Sequence, residues 1–353
     1  MQQKHQPMNA DSRLQVQPQL INPNATDHTK RLMTYLCDIY GHRMLTGQQI
    51  GVVSMPEIEI IHEQTGLRPA LIGFDFMNDS PSRVERGTVG TDTELAIQWG
   101  KEGGLVTFCW HWNAPMDLID EGPDRYWHSG FYTQSTTFDL GKAMDDQSSE
   151  AYRLIVRDID AIASQLKRLQ EADIPVLWRP LHEASGAWFW WGAKGPTPYL
   201  KLWKLMYDRM THHHRLNNLI WVWNGQHRDW YPGDEYVDII GEDVYGPARD
   251  YSSQAERFNL ALSYTAVNKI VALSENGPLP DPDQLIRDGV PWAWCCTWYG
   301  DFIWKKEQDR EVYTEHYTEA HMLNKLYQHP FTVTKEELPD IRAYRLPDSN
   351  ERG

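Results

Sequence analysis

Short apolar runs alternate with segments of helical periodicity along most of this 353-residue chain, and this alternation is the strongest constraint on its fold. The clearest helix is predicted over residues 146–172, where apolar residues recur at intervals of four and three: Ile155, Ile159, Ile162, Leu166 and Leu169. Eight runs resemble buried strands, at residues 43–49, 70–76, 105–112, 176–178, 219–223, 237–241, 270–274 and 291–298. Helical segments follow most of them, the last at residues 314–327. Strands that alternate with helices pair in parallel through right-handed crossovers.

Eight such units in a chain of this length predict an α/β protein with a closed (β/α)8 TIM barrel as its single domain. The alternative is an open doubly wound sheet, but no Gly-rich phosphate loop follows any of the runs. Residues 1–26 are rich in Gln, Asn and Pro and have no periodicity, which predicts a loosely attached N-terminal tail. The barrel domain is then assigned to residues 27–330, and residues 331–353 to a C-terminal extension.

Charge and hydropathy exclude some classes of partner. The formal net charge is −15 and the basic residues are scattered, which argues against nucleic acid as a partner. No run approaches the roughly 18 apolar residues of a membrane span. The first residues of this chain have no hydrophobic signal core. A secreted or periplasmic protein whose leader is absent from this chain and a cytoplasmic protein both remain open, and the oligomeric state is not predicted.

The cysteine content argues against a disulfide scaffold, and the tryptophan content is compatible with a sugar-binding site. Four cysteines are too few for a disulfide scaffold, and Cys109 and Cys295 lie in apolar runs where a buried thiol is expected. Sixteen tryptophans are unusual. Several are expected in the core, whereas those at strand ends are candidates for stacking on sugar rings.

Two predicted strands end in glutamate. Val176, Leu177 and Trp178 precede a polar segment that contains His182 and Glu183, and the run at 270–274 leads directly to Glu275. In a barrel, the C-terminal ends of the fourth and seventh strands lie on opposite sides of the mouth. Two carboxyl groups that face each other suit glycosidic-bond hydrolysis, in which one acts as an acid and the other as an anion.

Ordinary structural roles are the alternative for these side chains. Glu183 has a possible ion-pair partner in Arg179, and Glu242 and Asp243 are interpreted as a structural pair. A long insertion at residues 113–146 follows the third strand and contains Trp127. Because long segments without regular structure inside compact domains are usually functional, this insertion is predicted to lie over the site as a substrate-binding loop.

Several motifs together resemble glycoside hydrolase family 26, whose best-known members are β-mannanases. The motifs are Trp178-Arg-Pro-Leu-His-Glu183, Ala187-Trp-Phe-Trp-Trp191, Trp221-Val-Trp-Asn224, Gly241-Glu-Asp-Val-Tyr245, Leu273-Ser-Glu-Asn-Gly277 and Trp294-Cys-Cys-Thr-Trp298. They follow one another in the family's order across residues 29–327. The resemblance implies a retaining hydrolase on a (β/α)8 barrel, with the catalytic domain at residues 27–330.

Roles for individual residues follow from the same resemblance. It implies Glu183 as acid/base, Glu275 as nucleophile and Tyr245 as the residue that hydrogen-bonds the nucleophile. The implied substrate-binding residues are His111, His182, Trp188, Trp298, Trp127 and Asn224. The structural alternatives are loop-anchoring hydrogen bonds for Tyr245 and Asn224, packing for Trp188 and a core position for His111.

The chemistry of retention sets requirements for the two glutamates. Glu183 needs a raised pKa, which an apolar wall such as Trp188 and the Glu275 anion would provide, and a hydrogen bond from Tyr245 would keep Glu275 ionised. No metal or organic cofactor is required.

The predicted function is endo-β-1,4-mannanase activity on mannan, glucomannan or galactomannan. Three variants of the same mechanism stay open: release of mannobiose from chain ends, hydrolysis of mixed-linkage β-glucan, and hydrolysis of β-1,3-xylan. Two other classes of protein are alternatives. A metal-dependent hydrolase is disfavoured because residues 46–49 contain no His-x-His pair, and a catalytically inactive sugar-binding protein because both glutamates are present.

Overall fold

The computed structural model describes residues 11–51, 54–122 and 125–347 of the chain. Its central feature is a sheet of parallel strands, β1 Met44–Gln49, β2 Leu71–Asp75, β3 Leu105–Cys109, β4 Val176–Arg179, β5 Leu219–Trp223, β6 Ile239–Val244, β7 Ile270–Asn276 and β8 Trp294–Thr297. Each strand pairs with the next, and β1 also pairs with β8. The sheet therefore closes into the eight-stranded barrel that the sequence predicts.

Helices surround this barrel. They are α1 Asp27–Ile39, α2 Pro56–Thr65, α3 Pro81–Val84, α4 Asp92–Lys101, α5 Leu140–Asp145, α6 Glu150–Glu171, α7 Pro196–Asp208, α8 Ala255–Leu262, α9 Pro282–Asp288 and α10 Ala320–Gln328. The longest, α6, begins where the Ser149 side chain accepts a hydrogen bond from the Tyr152 backbone N–H, which caps the helix. Its predicted apolar face is buried against the barrel.

The strands are buried almost throughout because helices cover their outer side and side chains fill the barrel interior. Several tryptophans serve this packing and are fully buried, among them Trp178, Trp221, Trp223 and Trp294. Trp188 is 43% exposed and is available to a ligand. The tryptophan content is thus divided between the core and the barrel mouth.

Two regions differ from the sequence prediction. The helix predicted at residues 314–327 begins only at Ala320, and an antiparallel hairpin of β9 Trp304–Glu307 and β10 Arg310–Tyr313 precedes it. Gln308 and Asp309 turn this hairpin with positive φ angles. The insertion at 113–146 is also more ordered than predicted, since it contains α5 and short 3₁₀ turns.

The segments at both ends of the described chain pack on the barrel. Residues 11–26, expected to be loosely attached, bury Leu14 and Leu20, and the Ile21 backbone N–H donates to Asp238 over 2.8 Å. Residues 1–10 lie outside the described residues. At the other end, β11 Thr332–Val333 pairs with β1. The packing is therefore continuous across residues 26 and 330.

No helix among the described residues combines the length and the apolar character that crossing a membrane requires. Cys109, Cys295 and Cys296 are buried free thiols.

Candidate active site

A pocket of about 390 Å³ opens at the C-terminal ends of the barrel strands. Most of its lining is aromatic and comes from several loops: His111, Tyr132, Glu183, Trp188, Phe189, Tyr245, Glu275, Trp298 and Phe302. Among the residues that the structure describes, the two predicted glutamates are the only acidic ones in this lining, and no Lys or Arg belongs to it. Four of the other predicted site residues, His111, Trp188, Tyr245 and Trp298, therefore line the pocket with the two glutamates. The predicted loop at residues 113–146 contributes Tyr132 to the same lining.

Glu183 lies in a strained turn after β4. Its φ is 51° and that of Leu181 is 53°, the left-handed region that non-glycine residues rarely adopt. The Glu183 backbone N–H donates to the Asn224 carbonyl oxygen over 2.7 Å, which attaches the turn to the end of β5. Strain of this kind costs about 1–3 kcal/mol per residue and persists where surrounding contacts enforce it. The turn directs the carboxyl group into the pocket.

The surroundings of Glu183 favour its protonated form. Burial raises the pKa of its carboxyl group, and the nearby charges of Asp243 and Glu275 raise it further. Trp188 was predicted to raise this pKa as an apolar wall, but it lowers it. Its indole N–H donates a hydrogen bond to Glu183 Oε2 over 2.9 Å, which stabilises the carboxylate. Burial and neighbouring charge outweigh that bond, so Glu183 carries a proton at neutral pH.

Glu275 has strong donors on both carboxylate oxygens. The Tyr245 hydroxyl donates to Oε2 over 2.6 Å, and the Arg179 guanidinium forms an ion pair with Oε1. Burial and the charge of Glu275 raise the pKa of Tyr245, so its hydroxyl remains a donor. The alternative ion pair between Arg179 and Glu183 is wrong. Arg179 is 1% exposed and binds Glu275 and, over 3.0 Å, Asp243.

The carboxyl groups lie close together. One oxygen each from Glu183, Asp243 and Glu275 lies within 4.8 Å of the other two. Retention requires about 5–5.5 Å between the acid and the nucleophile, whereas inversion requires about 6.5–9.5 Å so that a water molecule fits between. The observed separation matches the shorter class. One of the pair is protonated and the other is held by cationic and phenolic donors, as a two-step displacement requires.

Asn224 lies beneath the pocket and does not line it. Its side-chain N–H groups donate to Asp243 Oδ1 and to Ser274 Oγ, each over 2.7 Å, and it is fully buried. The Asn224 carbonyl oxygen also accepts the hydrogen bond from the Glu183 backbone N–H, and together these contacts connect the ends of β4, β5, β6 and β7. The predicted alternative, an anchoring role, describes its position better than sugar contact does.

His111 and His182 form a buried pair at the pocket floor. His111 Nδ1 lies 2.6 Å from Asp75 Oδ2, and its Nε2 lies 3.3 Å from His182 Nε2. His182 is 1% exposed and does not line the pocket. Burial lowers its pKa, and the neighbouring His111 and Arg179 lower it further, so it is neutral. It therefore supports His111 from below.

Trp298 and Trp127 have different surroundings. Trp298 lines the pocket and stacks on Tyr299, with ring centroids 4.6 Å apart. Trp127 lies on a 3₁₀ turn and does not line the pocket. The Arg86 guanidinium lies over the Trp127 ring, 5.3 Å from the ring centroid.

Sequence reasoning missed several residues of this site: Asp75, Tyr132, Phe189 and Phe302, as well as the pairing of Arg179 with Asp243. A signal was present for Asp75, which interrupts the apolar run Phe74-Asp75-Phe76 at the end of β2. For Phe302 no local signal was present, because it reaches the pocket only through the path of the loop after β8.

Facing carboxyl groups in an aromatic pocket at the mouth of a (β/α)8 barrel define a class, the glycoside hydrolases that work through paired carboxyl groups. The chain belongs to glycosyl hydrolase family 26, whose model matches residues 21–337.

Similar proteins are mannan-degrading enzymes by name. A mannan endo-1,4-beta-mannosidase of Thermothelomyces thermophilus is 46% identical over 308 residues, which cover 86% of this chain and 62% of that protein. Mannan endo-1,4-beta-mannosidase A of Piromyces sp. is 37% identical over 92% of this chain and 51% of its own length. The chain therefore spans between half and two thirds of these curated relatives.

Solved structures with the same fold include the Podospora anserina GH26-CBM35 beta-(1,4)-mannanase, with a TM-score of 0.86 and 42% identity over 93% of this chain and 70% of that one. A beta-mannanase from a symbiotic protist of the termite Reticulitermes speratus, complexed with gluco-manno-oligosaccharide, has a TM-score of 0.81 and 30% identity over 92% of this chain and 98% of that one.

Proposed function

We propose that this protein is a retaining endo-β-1,4-mannanase, with Glu183 as the acid/base and Glu275 as the nucleophile. The observation that carries this proposal is the close approach of a protonated and an Arg-paired carboxyl group in one aromatic pocket. The names of the relatives support mannan as the substrate.

The reaction proceeds in two displacements. A carboxylate oxygen of Glu275 attacks the anomeric carbon, and the departing sugar oxygen takes the proton of Glu183. Glu183 then removes a proton from water, whose oxygen attacks the same carbon and releases Glu275. Tyr245 and Arg179 orient Glu275 through their hydrogen bonds, and Trp188 orients Glu183.

The pocket suits a neutral sugar. Its aromatic rings offer flat faces for pyranose rings, and the described part of the chain places no cationic side chain in the lining to bind a uronic acid. His111, Trp188 and Trp298 are proposed to contact the substrate, with His182 and Asn224 supporting them from beneath. Since mannan is a polymer, the proposal implies that the protein acts outside the cytoplasm.

Replacement of either glutamate tests the roles. Glu275→Ala should lower kcat on mannan by on the order of 10⁴-fold or more, because no covalent intermediate can form. Glu183→Ala should lower it by about 10²–10⁴-fold. With a dinitrophenyl mannoside, whose leaving group needs no proton, Glu183→Ala should still release dinitrophenol rapidly.

The exposed Glu171→Gln on α6 is the matched control and should behave as wild type. Wild-type activity of either pocket variant would overturn the assignment.

Early product analysis decides among the substrates. Linear mannan, glucomannan, mixed-linkage β-glucan and β-1,3-xylan are digested separately, and the products are separated by chain length. A ladder of manno-oligosaccharides is expected. If mannobiose is the only product, the protein releases it from chain ends and is not an endo-acting enzyme. If only glucan or xylan is hydrolysed, the proposed substrate is wrong and the proposed mechanism still applies.

A further inference from the structure

Three side chains with different metal-binding atoms converge beside the pocket floor. Asp75 on β2 is directly opposite Cys109 on β3, and His111 follows Cys109 by two residues, so all three lie on one side of the sheet. One carboxylate oxygen, the thiol sulfur and one ring nitrogen lie within 4.8 Å of one another. The proposed hydrolysis uses His111 but neither the thiol nor the Asp75 carboxylate as a reacting group.

The separations suit a tetrahedral cation. His111 Nδ1 lies 2.6 Å from Asp75 Oδ2 and 3.9 Å from Cys109 Sγ. Zinc binds sulfur at about 2.3 Å and nitrogen or oxygen at about 2.0–2.2 Å, which places tetrahedral donor atoms roughly 3–4 Å apart. Side-chain adjustments of less than about 1 Å therefore bring all three atoms to bonding distance.

Access and charge also favour a cation. His111 lines the open pocket, which provides a route from solvent. The carboxyl groups that interact electrostatically with the Cys109 thiol are those of Asp75, Asp243 and Glu275, and Asp79 and Asp92 act on Asp75. Two guanidinium groups oppose them: Arg179, which is paired with Asp243 and Glu275, and Arg83, which acts on Asp75. The local balance of charge is negative, so an incoming divalent cation is attracted.

We propose that a thiophilic divalent cation, Zn²⁺ or Cd²⁺, binds Asp75, Cys109 and His111 and inhibits the protein. On binding, the Cys109 thiol releases its proton to water, and the His111 proton moves from Nδ1 to Nε2. The His182 proton moves from Nε2 to Nδ1, so that His182 Nε2 accepts the hydrogen bond from His111. The cation fixes the His111 ring as a ligand and adds positive charge at the pocket floor, within electrostatic reach of the Glu275 carboxylate, so the proposed hydrolysis is inhibited. Inhibition through these residues is independent of which β-glycan is hydrolysed.

Cadmium binding to the full chain tests the proposal without any substrate. Wild type should bind one Cd²⁺ with the ultraviolet charge-transfer band of a cadmium–thiolate bond. Cys109→Ser should lose the band and bind at least tenfold more weakly. Cys296→Ser is the matched control and should retain the band. This thiol is also buried in the barrel, and the described residues form no such cluster around it.

The activity arm uses whichever β-glycan the metal-free wild type hydrolyses. Cys109→Ser should need at least tenfold more Zn²⁺ for half-inhibition, and Cys296→Ser the same amount as wild type. A band that persists in Cys109→Ser, or no band in wild type, overturns the site. If Cys109→Ser does not fold, X-ray absorption of the wild-type cadmium complex decides: a sulfur neighbour supports the site, and a shell of oxygen and nitrogen alone overturns it.

Discussion

Glu183 and Glu275 share one pocket, and their neighbours suit them to opposite roles. Glu275 accepts a hydrogen bond from Tyr245 and is paired with Arg179. Within the described ranges of the chain, the Trp188 indole is the only side chain that hydrogen-bonds the Glu183 carboxyl group. Burial then raises the pKa of Glu183. Two identical side chains are thus differentiated by the groups around them, which is how one site can carry both an acid and a nucleophile.

The Tyr245 hydroxyl gives a direct test of this division. Tyr245→Phe removes one hydrogen bond to a carboxylate, worth about 1.5–3 kcal/mol, so kcat should fall by about tenfold to a hundredfold. The melting temperature should change little, because the ring is 44% exposed. Tyr126→Phe, at an exposed tyrosine outside the pocket, is the control. A kcat within twofold of wild type for Tyr245→Phe would contradict the orienting role.

The Trp188 hydrogen bond predicts a pH effect. The indole N–H stabilises the Glu183 carboxylate, so Trp188→Phe should raise the pKa of Glu183 further. An acid must be protonated to act, and activity is lost as pH rises through its pKa. The alkaline limb of kcat/KM against pH should therefore move to higher pH in Trp188→Phe and stay unchanged in the control Trp127→Phe. Movement to lower pH would mean that a different group sets this limb.

At the scale of elements, the pairing of β6 with β7 is irregular where the site forms. Glu242 pairs with Leu273, but Asp243 pairs with Glu275, so Ser274 is an extra residue in β7. A bulge of this kind changes the direction of the following side chains. Ser274 Oγ donates to Asp243 Oδ1 over 2.8 Å, which stabilises the irregular register. This register brings Asp243 beside Glu275, where both meet Arg179.

The seam between β1 and β8 closes the barrel and depends on a close approach. Gly47 pairs with Cys296, and a Cβ atom at Gly47 would lie 2.5 Å from the Cys295 carbonyl oxygen. Gly47→Ala should therefore cost about 1–3 kcal/mol of unfolding free energy through overpacking.

Gly141→Ala is the matched control for this seam, because Gly141 lies in α5 and a Cβ there meets nothing closer than 3.2 Å. Alanine favours a helix over glycine by up to about 1 kcal/mol, so this variant should be neutral or stabilised. Urea denaturation of both proteins measures the difference. Equal stability of Gly47→Ala and wild type would show that the seam can relax.

For the whole molecule, the segment after α10 contributes to the fold. Phe331, Val333 and Ile341 are buried, and β11 extends the sheet beside β1. Burying each of three such side chains contributes about 1.5–3 kcal/mol, so a chain that ends at residue 330 should lose about 5 kcal/mol or more of stability.

A chain that ends at residue 347 is the baseline for this truncation, since it keeps every described residue of the segment. Melting temperatures of the two chains are compared under identical conditions. If the shorter chain melts at the same temperature, residues 331–353 are an extension that the barrel does not need, as the sequence interpretation assigned them.

The sequence alone determined the closed barrel and the strand-end positions of Glu183 and Glu275, because hydrophobic periodicity reports burial and element type over short distances. Tertiary structure decided which groups meet: Arg179 with Glu275 instead of Glu183, and Asp75 with His111 across neighbouring strands. Such pairings depend on strand register and loop paths, which involve residues far apart in the chain. Local sequence patterns do not report which distant residues meet. The charge interactions of the site could therefore be identified only from the folded structure.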